Sequence, residues 1–474
     1  MEHYIFYCKL SLLAVLSLIT ACCMLSRRWY VNLAAFLACL SGETFLAYLF
    51  FPGYMLCPAA ASFIILFLSR IWDLSRTPAK GNGADPIRLP VRSGIRESRL
   101  EFHYHYSNFL VYGGAGSGKT KSIGKWLLSE YMRLGFAGFI YDFKDTDYTR
   151  TAYNLIKRHR YPHKFYYVSF DRPERSYRFN PLKVVRDRTE LIQLMEDVLL
   201  ALLPKKEQQN EWVAGGLGIL RGVAFRFWDE FPEHCTLPHI LAFIMTASAR
   251  QLSLFLQQNL VSEMLAGAYL KAEGSEKTQA SYLSTLCNNL ATVSQNEEIA
   301  YVLSGDDFDF NLIDPENPKL FAVSNNFSKN SVYAPVISML MTISARQFSM
   351  QNRVPFVYFL DEMTTVNIKN FETLPSVLRE YKAAFILLTQ SGSKVENQYG
   401  RLDRSSVEAN FGNQFFGRTK DVESLKYYPM IFGKEEKERR SRSTGKSGGS
   451  TNRSVTVSSQ KEDIYQGKDS TSLV

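Results

Sequence analysis

Residues 113–120 read Gly-Gly-Ala-Gly-Ser-Gly-Lys-Thr, and no other stretch constrains the chain as tightly. Gly113, Gly118, Lys119 and Thr120 fill the fixed positions of the pattern G-x-x-x-x-G-K-[ST], with Gly114, Ala115, Gly116 and Ser117 between them. The apolar run Asn108–Tyr112 precedes the octet, and a helical pattern from Lys121 to Met132 follows it. Strand, glycine-rich turn and helix is the context of a phosphate-binding loop. Glycines let successive N–H groups face phosphate oxygens, and the positive end of the next helix adds to the anion site. Lys119 is expected to reach the β- and γ-phosphates, and the Thr120 hydroxyl to bind Mg²⁺. All eight residues are therefore expected nucleotide contacts, with ATP and Mg²⁺ as cofactors.

The surrounding pattern predicts an α/β fold. Apolar runs at Phe136–Asp142, Lys164–Phe170, Lys319–Ser324, Val354–Leu360, Ala383–Thr389 and Asn413–Phe416 alternate with helical segments. That alternation predicts a mostly parallel, doubly wound sheet. Residues 187–305 read instead as successive helices, with apolar positions three and four apart at Leu191–Leu203 and Trp212–Trp228. The expected organisation is a first part of the nucleotide-binding domain at 77–186, an all-α insertion at 187–305 and a second part at 306–433. Within 77–98, Pro78, Gly81, Gly83, Pro86 and Pro90 point to a linker or a short β-structured approach. The Ser-, Gly-, Lys- and Arg-rich segment 434–474 is expected to be a flexible basic tail.

The run Val354–Leu360 ends in Asp361-Glu362. An apolar strand closing on two acids supplies what a phosphate loop lacks. Asp361 is expected to hold Mg²⁺, and Glu362 to polarise the attacking water. Strand Ala383–Thr389 is followed by Gln390, which is expected to lie beside the nucleotide and sense it.

The amino-terminal part differs in kind. Residues 4–25, 29–51 and 54–69 are nearly continuous apolar runs, long enough to cross a bilayer. Arg27 and Arg28 follow the first run, and Arg70, Arg76 and Lys80 follow the last. Region 1–76 is thus expected to hold two or three transmembrane helices with the remaining chain in the cytoplasm. The net charge of +9 is compatible with nucleic acid or anionic lipid and selects neither. Seven cysteines without a C-x-x-C, five of them in the apolar region, argue against a zinc site or a disulfide framework.

Together these features resemble the type IV coupling proteins of the TraG/TraD class, membrane ATPases of bacterial conjugation and type IV secretion. The resemblance rests on the apolar amino terminus, Gly113–Thr120, the pair Asp142 and Lys144 after the second strand, and Asn180-Pro181-Leu182 ahead of the insertion. It extends to Trp212, Asp361-Glu362, Arg379, Gln390 and Tyr399-Gly400. It implies a RecA-like motor in the bacterial inner membrane, assembled as a homohexamer around a channel. It also implies that Arg379 is an arginine finger reaching a neighbour's nucleotide, and that the insertion helps recognise cargo. The third apolar run and the stop at Val474 depart from the family pattern, which commonly has two spans and a longer end.

The expected function is coupling relaxase-bound single-stranded DNA, with its relaxosome proteins, to a type IV secretion channel and driving transfer by ATP hydrolysis. Grip would come from cationic and stacking contacts of little sequence preference. Two alternatives stand beside it. One is a docking receptor for relaxosome or protein effectors with little motor activity. The other is a double-strand DNA translocase of the chromosome-partitioning kind, although no winged helix is evident.

Overall fold

The structure, a computed structural model, describes residues 85–465 apart from 94–95, 204–207, 209 and 448–449; before residue 85 it describes only Lys9, Phe45 and Tyr48. The chain divides into two compact units, Met1–Ala79 and Lys80–Val474. The expected membrane spans fall in the first unit and lie outside the described residues. Among the described residues no helix is long and apolar enough to cross a membrane.

Two strands, β1 (Ile87–Ser93) and β2 (Arg96–Phe102), pair antiparallel ahead of the phosphate loop. The sheet proper begins with β3 (Phe109–Tyr112), β4 (Ala137–Asp142) and β5 (Lys164–Ser169). It continues with β6 (Lys319–Ser324), β7 (Phe356–Asp361), β8 (Ala383–Thr389) and β9 (Asn413–Phe416). These seven strands lie in the order β5-β6-β4-β7-β8-β3-β9, and every neighbouring pair is parallel. The unbroken apolar runs have a simple cause: a parallel sheet is covered on both faces, so both sets of alternate side chains must be buried. Phe109, Val111, Ile140, Leu320 and Phe359 face one core with helices α1 (Lys125–Arg133) and α2 (Asp147–His159). Leu110, Tyr112, Phe139, Phe321 and Tyr358 face the other, which runs on into the helical unit.

That unit leaves the sheet after β5 and returns at β6, which lies beside it. It comprises α3 (Arg188–Ala201), α4 (Glu211–Glu230), α5 (Leu237–Thr246) and α6 (Ala249–Gln257). The short helices α7 (Leu260–Leu265) and α8 (Gly267–Lys271) lead to α9 (Glu276–Ser294) and α10 (Glu297–Leu303). The two ends of the insertion are stitched together. Phe179 N donates to Val302 O at 2.8 Å, Asp307 N donates to Arg178 O at 2.8 Å, and the Arg178 guanidinium lies over the Tyr301 ring. Inside, α4 is the central helix, capped by Asn210, whose side chain accepts from Trp212 N at 3.0 Å. Its glycines serve close approach. A Cβ on Gly218 would lie 2.8 Å from Leu265 O, and one on Gly222 would lie 2.9 Å from Ser262 O.

Helix α11 (Asn330–Arg346) follows β6 and carries the base of the insertion. Arg346 and Lys369 both bind Asp197 of α3, Lys369 at 2.9 Å. Helix α12 (Leu374–Glu380) leads into the start of β8.

Within the segment expected to be a flexible tail, residues 434–463 form a two-stranded antiparallel ladder instead, β10 (Lys434–Ser447) with β11 (Ser450–Asp463). The register puts Lys434 opposite Asp463, with an ion pair of 3.8 Å, and Glu436 opposite Lys461, while Glu435 faces Glu462.

Candidate nucleotide site

The signals singled out in the sequence converge on the carboxyl edge of the sheet. β3 ends at Tyr112, and the loop turns through Gly116 and Gly118 at φ of +73° and +82°, a region where a Cβ is disfavoured. A Cβ on Gly113 would lie 2.3 Å from Ser117 Oγ, so that turn also needs glycine for space. The loop is pinned from both sides. Gly113 N donates to Thr389 O at 3.2 Å, at the end of β8, and Gly114 N donates to Arg418 O at 2.9 Å, just after β9. The first turn beyond the loop, Thr120–Gly124, is wound as a π-helix and runs into α1.

Sheet order brings the acids to this loop. β7 lies beside β8, and β8 beside β3, so one strand separates Asp361-Glu362 from Gly113–Thr120. The buried Lys119 Nζ donates to Gly113 O at 3.0 Å and to Glu362 Oε1 at 2.7 Å. Glu362 takes a left-handed conformation, φ 48° and ψ 51°, as the chain leaves the strand. Its Oε2 and both carboxylate oxygens of Asp361 are buried without a hydrogen-bond partner, as are Ser117 Oγ and Thr389 Oγ1. Burial pushes the Asp361 carboxyl up to about 7, against the pull of the nearby Lys144 charge. Unpartnered buried oxygens are costly unless something else satisfies them. A carboxylate, a threonine hydroxyl and a glycine cradle form the hard-oxygen and N–H donor set that Mg²⁺ and a nucleotide triphosphate require.

The remaining residues divide. Gln390 follows Thr389 directly, and the Thr389 carbonyl holds Gly113, so Gln390 stands beside the loop. Arg379 does not join this chain's own site. It is exposed on α12, which feeds the amino end of β8, at the opposite edge of the sheet. Lys144 Nζ does join, 3.3 Å from Thr120 Oγ1. Arg418 was not singled out in the sequence. Its guanidinium lies 3.8 Å from where a Cβ on Gly116 would stand. No local pattern marks it, because only the pairing of β9 with β3 brings it to the loop.

Loop, strand order and buried acid pair define a P-loop nucleotide-binding protein with a helical domain inserted in its sheet. Residues 100–464 match the family model described as the type IV secretion-system coupling protein DNA-binding domain. The chain belongs to the type IV secretion-system coupling proteins. Its fold is similar to that of the unbound bacterial conjugative coupling protein TrwBdeltaN70, with a TM-score of 0.61 and 16% identity over 86% of each chain. Plasmid coupling protein TrwB in complex with ADP and Mg²⁺ gives a TM-score of 0.59 and 16% identity, covering 77% of this chain and 80% of that one. TrwB with the non-hydrolysable ATP analogue ADPNP gives a TM-score of 0.60 and 16% identity, over 82% and 88%. At such identities the likeness concerns the fold. No curated protein sequence matches the chain.

Proposed function

We propose that this coupling protein is a membrane-anchored ATPase that moves relaxase-bound single-stranded DNA into a type IV secretion channel, acting as a homohexamer. The observation that carries the reading is the buried pair Lys119–Glu362 beside the unpartnered Asp361, at the mouth of a glycine cradle. Family membership in a DNA-binding domain supports the cargo, and the nucleotide complexes of TrwB support ATP and Mg²⁺ as cofactors. The apolar runs 4–25, 29–51 and 54–69 would hold the chain in the bacterial inner membrane, with the ATPase part in the cytoplasm.

The residues divide the work. Backbone N–H groups of the loop beyond Gly114 bind and orient the phosphates, those of Gly113 and Gly114 being held by Thr389 O and Arg418 O, and Lys119 leaves Glu362 to reach them. Thr120 and Asp361 would hold Mg²⁺, which when bound neutralises phosphate charge. Glu362, freed of Lys119, takes the proton of the attacking water. Gln390, beside the loop, orients that water or senses the phosphate. Arg379, turned away from its own loop, serves the neighbouring subunit's site.

The test is the ATPase rate of the full-length protein in detergent, with and without single-stranded DNA, at rising protein concentration. Stimulation by DNA and a steep concentration dependence are expected, both lost in Arg379→Ala. Hydrolysis indifferent to DNA and to concentration would overturn the motor reading and the role of Arg379, and would favour a docking receptor.

A further inference from the structure

Asp142 ends β4 and Lys144 stands two residues beyond it, and the proposed function gives neither a task. β4 lies beside β7, so its carboxyl end opens on the same edge as Asp361 and Glu362. The fully buried Asp142 accepts from Thr149 N at 2.8 Å, from Thr149 Oγ1 at 2.9 Å and from the Lys144 backbone N at 3.2 Å. The carboxylate thus clamps the turn to the start of α2. Asp145 and Thr146 then take φ of 43° and 76°. Two successive non-glycine residues in the left-handed region are disfavoured, and such strain persists only where surrounding contacts over-determine it. Its result is to turn Lys144 back over the phosphate loop, Nζ 3.3 Å from Thr120 Oγ1.

A lysine placed merely for solubility needs no such loop. Nor is Lys144 occupied elsewhere: among the described residues it forms no ion pair with a carboxylate. Lys119 is held deep in the loop by Gly113 O and Glu362. Lys144 enters from the other side, over Thr120 and next to the strand that ends in the acid pair. A phosphate chain laid along Gly113–Thr120 points its terminal group toward those acids, which is the side Lys144 occupies.

We propose that Lys144 is a second phosphate-binding lysine of the site, contacting the γ-phosphate of ATP, with Asp142 and Thr149 as its positioning residues. The contact would give the β4–α2 loop a direct reading of whether the terminal phosphate is present. Asp145 of that loop pairs with Arg172 beyond β5 at 3.2 Å, so the loop is tied to the strand from which the helical insertion departs. The inference rests on the ATPase reading.

The test titrates the full-length protein in detergent, with Mg²⁺, against fluorescent ADP and a fluorescent non-hydrolysable ATP analogue. Loss of one charged hydrogen bond in Lys144→Ala is expected to weaken the analogue about tenfold or more, leaving ADP within about twofold. Lys144→Arg keeps the charge and should recover most of the difference. Equal weakening of both nucleotides, or unchanged binding of the analogue, would overturn the assignment. If the unaltered protein binds neither nucleotide, the ATPase reading falls and this inference with it. If it binds both and Lys144→Ala does not separate them, only the inference falls.

Discussion

Replacing Glu362 by Gln separates two duties that one carboxylate performs. Its Oε1 holds Lys119 Nζ at 2.7 Å, with the two side chains only 2% and 6% exposed. In the proposed function the same group takes a proton from the attacking water. In Glu362→Gln, Lys119 keeps a neutral acceptor in place of a charged one. A charge-assisted hydrogen bond contributes about 1.5–3 kcal/mol and a neutral one about 0.5–1.5. Lys119 is therefore released to the phosphates at a cost lowered by roughly 1 kcal/mol, equivalent to about five- to tenfold tighter nucleotide binding. The screening that cancels surface ion pairs does not apply to so buried a pair. Loss of the base should at the same time slow hydrolysis by about 10²–10⁴-fold. Equilibrium titration with a fluorescent ATP analogue reads the first effect, and single-turnover phosphate release the second. The reasoning is refuted if affinity fails to rise, or if hydrolysis stays within about tenfold of the parent.

Three further outcomes are expected. Lys119→Ala should lower steady-state phosphate release by about 10²–10³-fold, because a preorganised cation is lost from the phosphates. Asp361 carries its proton to about pH 7 in the fold, whereas an exposed aspartate releases it near pH ~4. The folded chain binds more protons across that window, so metal-free stability should fall as pH rises from about 4 to 7. Chemical denaturation in the presence of a chelator should show that slope, and Asp361→Asn should flatten it. Asp197→Ala strands Arg346 and Lys369 at the base of the insertion. Because Arg346 is a quarter and Lys369 half exposed, the loss should cost about 1–2 kcal/mol of unfolding free energy, measured by denaturant titration.

Much of the fold was legible because a covered parallel sheet leaves continuous apolar runs. Lys319–Ser324, Ala383–Thr389 and Asn413–Phe416 form strands with the bounds their hydrophobicity predicts. The acid-ended strand shifted slightly, to Phe356–Asp361, because hydrophobicity does not mark where the ladder stops. The phosphate loop was legible for a different reason: its conformation demands glycine at fixed positions, and that demand is local. What the sequence could not carry was non-local. The Arg418 carbonyl meets Gly114 only because β9 pairs with β3. Lys144 reaches Thr120 only because Asp142 and Thr149 shape its turn. The ladder 434–463 is faint in the sequence because β10 is polar on both faces and β11 offers only the short alternation Val455-Thr456-Val457. Arg379, suggested by family likeness, stands apart from its own loop, on the helix that leads into the start of β8.

The stitched ends of the helical insertion have a consequence for how such proteins diversify. Arg178–Phe179 and Val302–Asp307 meet at a neck between adjacent strands near the edge of the sheet. A segment that leaves and re-enters through so narrow a gate can be exchanged without re-threading the strands. The part that must be retained is the α3 surface that grips Arg346 and Lys369. The apolar face that the insertion shares with Asn330–Arg346 must be kept with it, and the helices beyond that face form a cassette. Chimaeras cut at 178–179 and 302–307 should therefore keep the parallel sheet and its phosphate loop while the helices between are replaced.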